Sequence, residues 1–386
     1  MAVVKRTRMP FSVAFLMRLK YLVQASHFMP AKKSGRPMVT VRDIAQQAGV
    51  SIGAVSIVLN DAPLARYMAD ATKRRIKEIA RKLGYSPNQL ARSLRGVRNH
   101  TIGLMVVDVT DPFCTPILRG IESSLYEASY MSVLADAHNQ VSRFERYLEM
   151  MLERRVEGLI VVANWLVVDI DLLSDLERHR IPTVIIGRQL QSNAVSSVMV
   201  DNETGGRIAI EHLFSLGHRK IAFIRGPKVI GDSALRWKGI RTFARSARME
   251  IDPQHVVELP SIVDPNHGFE TAQKLTEELI KRTRTFTALL AYDDVTALGA
   301  MQALTKAGIR VPEQCSVVGF DDVAPAAFAS PPLTTIRQPM QTMGATAVSM
   351  VTEAIKAAAD SRELSVAQVK LAPEIVVRQS TRRVHG

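Results

Sequence analysis

Gly49, Ser51 and Gly53 spell G-x-S-x-G, the spacing at which a serine is held on a sharp turn as a nucleophile. That chemistry needs a strand ahead of the serine, and the residues before Ser51 have helical spacing instead. Hydrolysis at Ser51 is therefore not expected. Other local signatures of enzymes are missing: the chain has no G-x-G-x-x-G, no Gly-Lys pair for a phosphate loop and no H-E-x-x-H. Two cysteines, Cys114 and Cys315, are too few for a disulfide framework or a zinc site, and they fit a reducing cytoplasm. The expectation is a protein that is not an enzyme and carries no cofactor and no metal.

The residues that do carry chemistry are basic, and they are segregated. Residues 1–98 hold 19 Lys/Arg against 4 Asp/Glu, while the remaining residues hold 31 against 33. The net charge of +13 is thus a basic head on a nearly neutral body. Such a head suits a polyanionic partner and leaves the body free for another task. A length of 386 residues allows two or three domains, and 47% hydrophobic with 23% charged residues allows a sizeable core.

No apolar run approaches the roughly 18 residues of a membrane span. Lys5, Arg6 and Arg8 ahead of MPFSVAFLM at 9–17 imitate a secretory signal, but Arg18 and Lys20 end its apolar core. Residues 1–37 are expected to be a disordered basic extension, with Met29 and Met38 both ahead of the first fold signal. KKSGRPM at 32–38 reads as a linker.

From Thr40 the spacing becomes helical. Val41, Ile44, Ala45 and Ala48 share a face, and Thr40 with Asp43 resembles a capping box. Gly49 breaks the pattern, and Ser51 is an N-cap for a second helix burying Val55, Val58 and Leu59. Two helices joined by a short glycine turn are a helix-turn-helix. A third helix over 71–85 would bury Ile76, Ile79, Ala80 and Leu83 and expose Lys73, Arg74, Lys77, Arg81 and Lys82. The second helix would enter a major groove while the bases neutralise phosphates. Ser86 and Pro87 then open a further helix that Gly96 ends. At roughly eight residues it is too short to stand alone in water and should order only against a partner.

Beyond Thr101, apolar strand-like runs alternate with helical stretches: 101–107, 130–136, 156–163 and 181–187, then 219–226, 255–260, 287–292 and 314–320. Near-continuous apolar strands between helices predict parallel sheets covered on both faces, and eight strands are better housed in two doubly wound lobes than in one. The cleft between the C-terminal strand ends would be the ligand site.

VTVRDIAQQAGVSIGAVSIVLND at 39–61, followed by IKEIARKLGYSPNQLARSLRG at 76–96, closely resembles the head and hinge of the lactose and purine repressor family of bacterial transcription regulators. The likeness continues through DVTDPFCTPILRGIE, GHRKIAFIRGP, AYDDVTALGAMQAL, GIRVPEQCSVVGFDD, LTTIRQP and VVRQST, to about residue 380. It implies a small all-α helix-turn-helix head (38–85), a hinge helix (86–98) and an α/β effector-binding and dimerisation domain (99–386). The last has two doubly wound parallel-sheet lobes, like the periplasmic sugar-binding proteins.

The resemblance implies a ligand-gated repressor that binds a near-palindromic DNA operator as a homodimer. Base readout would fall to Ser51, Ile52, Gly53, Ala54, Ser56 and Ile57. The three principal positions, Ile52, Gly53 and Ile57, have no side-chain donor or acceptor, so the usual Arg–guanine and Gln–adenine pairs are absent. Thymine methyl contacts, hinge and DNA shape are left to carry specificity. In the minor groove Leu94 would wedge a base step, with Asn88, Ala91 and Arg92 beside it.

Carried over by motif, Phe113, Arg188, Arg236 and Asp294 would bind the effector: a ring wall, two guanidinium forks and a carboxylate suit a sugar-like ligand. The competing readings are core packing for Phe113, carboxylate pairing for the arginines and a helix cap for Asp294. Asp321 and Asp322 are assigned to the lobe hinge or a turn. Tryptophan occurs only as Trp165 and Trp237, and Ile262 or Val263 stands where the family has an aromatic, which leaves nucleosides and small acids open. The C-terminal RQSTRRVHG has no leucine heptad, so a dimer is expected rather than a coiled-coil tetramer. The rival of another class is an exported periplasmic-type solute-binding protein, which would need a cleavable signal and no basic head.

Overall fold

The computed structural model describes residues 39–60, 62–85, 99–163, 181–188, 195–260, 268–363 and 366–384. The extension 1–37 and the hinge residues Asn88, Ala91, Arg92 and Leu94 lie outside the described residues, as do Trp165, Ile262 and Val263. The chain divides into two compact units, Met1–Gln89 and Leu90–Gly386.

The first unit is a three-helix head. Helix α1 (Val41–Ala48) starts at a complete capping box: the Thr40 N–H donates to Asp43 at 2.7 Å, and Asp43 N–H donates to the Thr40 hydroxyl. These bonds hold the Asp43 carboxyl below its ordinary range. The helix ends at Gly49 in the left-handed conformation (φ 61°), where a Cβ would be strained. Ser51 opens α2 (Ile52–Leu59), its hydroxyl accepting from Ala54 N–H at 3.1 Å. A 3-10 turn (Pro63–Tyr67) and α3 (Asp70–Lys82) follow. Ile44, Val55, Val58 and Ile76 bury almost completely between the helices, while Leu59, Ile79 and Leu83 pack at the edge. The third helix starts without a side-chain cap, at Ala69.

In the second unit, lobe one runs β1 (Thr101–Val106), α4 (Cys114–Glu127), β2 (Met131–Asp136), α5 (Val141–Glu153), β3 (Gly158–Val162), β4 (Thr183–Ile186) and β5 (Ser196–Val200). Lobe two runs α6 (Asn202–Ser215), β6 (Ile221–Arg225), α7 (Gly231–Ser246), β7 (Val256–Glu258), α8 (Gly268–Arg282), β8 (Ala288–Ala291), α9 (Asp294–Lys306), β9 (Ser316–Asp321), α10 (Ala324–Phe328) and β10 (Thr334–Arg337). The chain then returns to lobe one as α11 (Met340–Ala359) and β11 (Gln368–Leu371), and ends in lobe two with β12 (Glu374–Val376).

Each sheet has six strands, ordered β2-β1-β3-β4-β5-β11 and β7-β6-β8-β9-β10-β12. The two orders are the same winding used twice. Every pairing is parallel except β10 with antiparallel β12. Apolar strand residues feed a core on both faces of each sheet, which is why the strands lack polar alternation.

All eight predicted strands are present, and β5, β10, β11 and β12 join them. The lobes are not consecutive halves: the chain crosses between them near 201, 338 and 372. The crossings are bonded together, Asp201 N–H donating to the Leu371 carbonyl at 2.8 Å and Gln338 Nε2 donating to Asp321 Oδ1 at 2.6 Å. Asp322 receives Arg337 and Arg378, each at 2.6 Å. Asp321 and Asp322 thus stand at the lobe junction.

Candidate nucleic-acid interface and effector cleft

On the head, α2 turns Val55 and Val58 inward and leaves Ile52 49% exposed at its first turn. Gly53 adds no side chain there. Ser51 caps the helix, and Ser56 accepts from Asn60 Nδ2 through both its carbonyl (2.8 Å) and its hydroxyl (3.2 Å). Ala54 and Ile57 are half-buried. Both serine hydroxyls therefore serve the helix itself, and its outer face is largely aliphatic. On α3, Lys73 pairs with Asp70 and Lys82 with Glu78, while Arg74, Lys77 and Arg81 are exposed. The arrangement can lay a methyl-bearing helix in a groove while cations face phosphates.

In the body, the strand order reverses between β1 and β3 and between β6 and β8, which puts the crevice at the C-terminal ends of those strands. Arg236 on α7 projects there. Its Nε donates to Asn202 Oδ1 at 2.8 Å and its Nη1 to the Tyr292 carbonyl at 2.6 Å. Nη2 lies 3.7 Å from Asp321 Oδ1, and the guanidinium stacks on Phe320 (3.6 Å) and Tyr292 (4.6 Å). Expected as a ligand fork, Arg236 is instead largely engaged by lobe two. The cavity beside it, bounded by Ser233, Trp237 and Tyr292, is about 20 Å³. That is room for about one water.

Arg188 follows β4 in lobe one and is half-buried. Desolvation lowers its pKa, and Asp232 of lobe two is the charge that opposes the shift. Asp232 itself is pushed above the carboxylate range by burial, against the pull of Arg236, Asn202 and Arg188. The Asp232 carboxylate thus feels a guanidinium from each lobe, and it was missed from sequence. Its position four residues before Arg236, one helical turn away, was the available signal.

Asp294, expected as an effector contact, lies inside lobe two. It is fully buried, accepting from Val323 N–H at 2.9 Å and from the Thr335 hydroxyl at 2.5 Å. Burial pushes its pKa up to about 8. A carboxylate closed in on both oxygens fastens α9 to β10 and to the start of α10, with none of it exposed. Nor is it the cap: Asp293 caps α9, accepting from Thr296 N–H at 2.7 Å, and is half-buried. Burial also raises Asp293 and Asp321, against the pull of Arg236. Phe113 is 6% exposed and packs with Ile117 and Val323 in the core, the competing reading of its ring.

Among the described residues no helix is long and apolar enough to cross a membrane, and no cluster of ligating side chains fits a metal. Residues 40–88 match the family described as bacterial regulatory proteins, lacI family, and residues 210–381 match a periplasmic binding protein-like domain. The HTH-type transcriptional repressor PurR of Haemophilus influenzae is 33% identical over 350 residues, covering 90% of this chain and all of the relative. PurR of Aliivibrio salmonicida is 31% identical with the same coverage. Among solved structures, the lac repressor dimer bound to operator and the anti-inducer ONPF superposes with a TM-score of 0.76 at 27% identity, covering 89% of this chain and 99% of that one. A transcriptional regulator CelR–cellobiose complex gives 0.66 at 30% identity, with the same coverage. These relatives are regulators of transcription, and the chain belongs to the lacI family of bacterial regulatory proteins.

Proposed function

We propose that this protein is a ligand-responsive repressor in the cytoplasm, a dimer that holds a near-palindromic operator until a small molecule changes its affinity. The observation that carries the reading is the Ser51-capped helix α2, exposed at Ile52 on a basic three-helix head. Two such heads would occupy successive major grooves through Ser51, Ile52, Gly53, Ala54, Ser56 and Ile57, with a dyad in the DNA matching that of the dimer. The hinge residues Asn88, Ala91, Arg92 and Leu94 would occupy the minor groove between them. An exported solute-binding protein would have no use for this head.

The effector would sit between the lobes, with Arg188 and Asp232 as its charged contacts and Arg236 as the group that reports its presence to Asn202 and Asp321. Phe113 would back the site from lobe one, while Asp294 keeps the floor of lobe two in shape. A polyhydroxylated, sugar-like ligand offers donors to the carboxylates and acceptors to the guanidiniums. Coupling is reciprocal, so DNA must change effector affinity by the factor with which effector changes DNA affinity. The test is a thermal-shift screen of sugars, polyols, nucleosides and small acids, followed by operator selection with and without the hit. A ligand at 100 times its Kd adds about 2.7 kcal/mol. A protein that selects no DNA sequence would sink the reading.

A further inference from the structure

Lobe two has a second hollow, which none of Arg188, Asp232 and Arg236 lines. Trp237, Arg241 and Arg245 follow one another along α7 at four-residue intervals and share the helix face that borders it. Together with the edge strand β7 and the loop before it they bound about 670 Å³, within the roughly 300–1,000 Å³ of small-molecule sites. Met249, Ile251 and Val256 give the hollow an apolar floor, with Met249 buried and the Trp237 indole half-buried.

The rim is positively charged. Arg241 and Arg245 are exposed, and neither has an ion pair among the described residues. Arg245 Nε donates to the Arg241 carbonyl at 3.4 Å, which lays its stem along the helix without neutralising it. Glu258 is the acid of the hollow, and both its oxygens are taken: Arg225 Nη1 lies 3.3 Å from Oε2 and Lys228 Nζ 3.5 Å from Oε1. Its charge is therefore offset twice. Arg225 also lies over the Trp237 ring, 4.6 Å from the centroid, and its buried Nε has no hydrogen-bond partner among the described residues, so a donor beside this wall is unsatisfied. Two guanidiniums one helical turn apart, above a floor of thioether, indole and aliphatic carbons, fit a flat apolar body with an acid at one end. Arginine takes a carboxylate bidentately, and aromatic rings pack well on methionine sulfur and on indole.

We propose that this hollow is a second small-molecule site, which takes an aromatic carboxylate with its acid on Arg241 and Arg245 and its ring against Met249 and Trp237. Trp237 also borders the small cavity beside Arg236, so a ligand here bears on the helix that carries Arg236. Occupancy of the hollow is independent of the DNA-binding reading. Its use as a second input beside the effector crevice rests on that reading.

The probe is 2-naphthoate, titrated against the full chain without DNA and followed by ligand-detected proton NMR. Arg241→Ala and Arg245→Ala should each weaken its binding about tenfold, the loss expected for one hydrogen bond to a charged group. Replacing the acid by 2-naphthalenemethanol should cost at least as much. Cyclohexanecarboxylate, which keeps the charge and lacks the aromatic ring, should bind roughly fivefold more weakly. Both arginines are exposed, so melting curves should match the unmodified chain; Arg241→Gln and Arg245→Gln, which keep part of each stem, replace an alanine variant that melts early. Arg188→Ala, which alters the crevice and not this hollow, should leave naphthoate binding unchanged. If Arg188→Ala loses the probe while the α7 variants keep it, the crevice is what binds it and the proposal falls. Equal affinity for the acid and the alcohol would mark nonspecific apolar adsorption and overturn it, as would an unmodified chain that binds no naphthoate.

Discussion

Arg236 Nε and Asn202 Oδ1 stand 2.8 Å apart, joining the helix that lines the crevice to the first residue after a crossing between the lobes. The same guanidinium reaches the Tyr292 carbonyl, beyond β8. One side chain therefore ties α6, α7 and the end of β8, and anything that displaces it loosens a lobe junction.

Lysine at this position keeps the charge but cannot donate to both acceptors in one plane. Arg236→Lys should cost about 1.5–3 kcal/mol of body stability, in line with losing a hydrogen bond from a charged group, and should blunt the effector's influence on DNA binding. Calorimetric melting and an anisotropy titration with and without effector read the two effects separately. An unchanged melt would show that the tie is dispensable.

Gly206 and Gly239 sit where α6 and α7 cross. A Cβ on Gly239 would run into the Glu203 carbonyl, and one on Gly206 into the Arg236 carbonyl. These are backbone atoms, which cannot swing aside. Gly239→Ala should destabilise the protein by about 1–3 kcal/mol through forced separation of the helices, with effector affinity falling because Arg236 rides on α7. Gly231→Ala, where nothing lies within 4 Å, should leave the melt nearly unchanged.

In the unfolded chain Asp294 titrates near 3.8, whereas burial holds it at about 8 when folded. Between those values the native state keeps a proton the unfolded state has released, so stability falls as pH rises across the window. His212 and His218 act oppositely: burial lowers both, and they weaken the fold as pH drops below about 6.5. Above pH 7 the histidines no longer contribute, and the carboxylates raised by burial, Asp294 together with Asp232, Asp293 and Asp321, act in the same direction. Asp294→Asn should flatten the decline in melting temperature between pH 7 and pH 8.5, by on the order of 1 kcal/mol. Parallel declines in both proteins would place the proton elsewhere.

Leu94→Ala removes the side chain assigned to the base-step wedge. Operator affinity and bend angle in a mobility-shift assay should both drop, because unstacking is offset only when the bend brings further contacts. Nonspecific binding should hardly change. A variant with full affinity and an unaltered bend would remove the wedge.

The head was legible because its determinants are local. Thr40 and Asp43 are three residues apart, Gly49 must be left-handed, and Ser51 caps the helix next to it. The strands were legible as apolar runs. Their assignment to lobes was not, since β11 and β12 lie two residues apart and join different sheets through pairings with β5 and β10. No short-range spacing encodes that. Adjacent Asp293 and Asp294 were equally indistinct: one caps and one is buried, and the choice is made by Thr335, 41 residues beyond Asp294. Asp232 was readable one helical turn from Arg236, but only Arg188 from the other lobe gives it meaning.

If α2 reads DNA as proposed, its aliphatic face would have a consequence for epigenetic control. A head that touches the C5 methyl of thymine and forms no paired hydrogen bonds to the base edge has little means of telling thymine from 5-methylcytosine, which offers the same methyl at the same place. Ile52, 49% exposed at the start of that helix, is the residue that would meet it. Cytosine methylation inside an operator would then act on this protein as a mutation toward thymine does, creating or strengthening a site without any change in the genome's sequence.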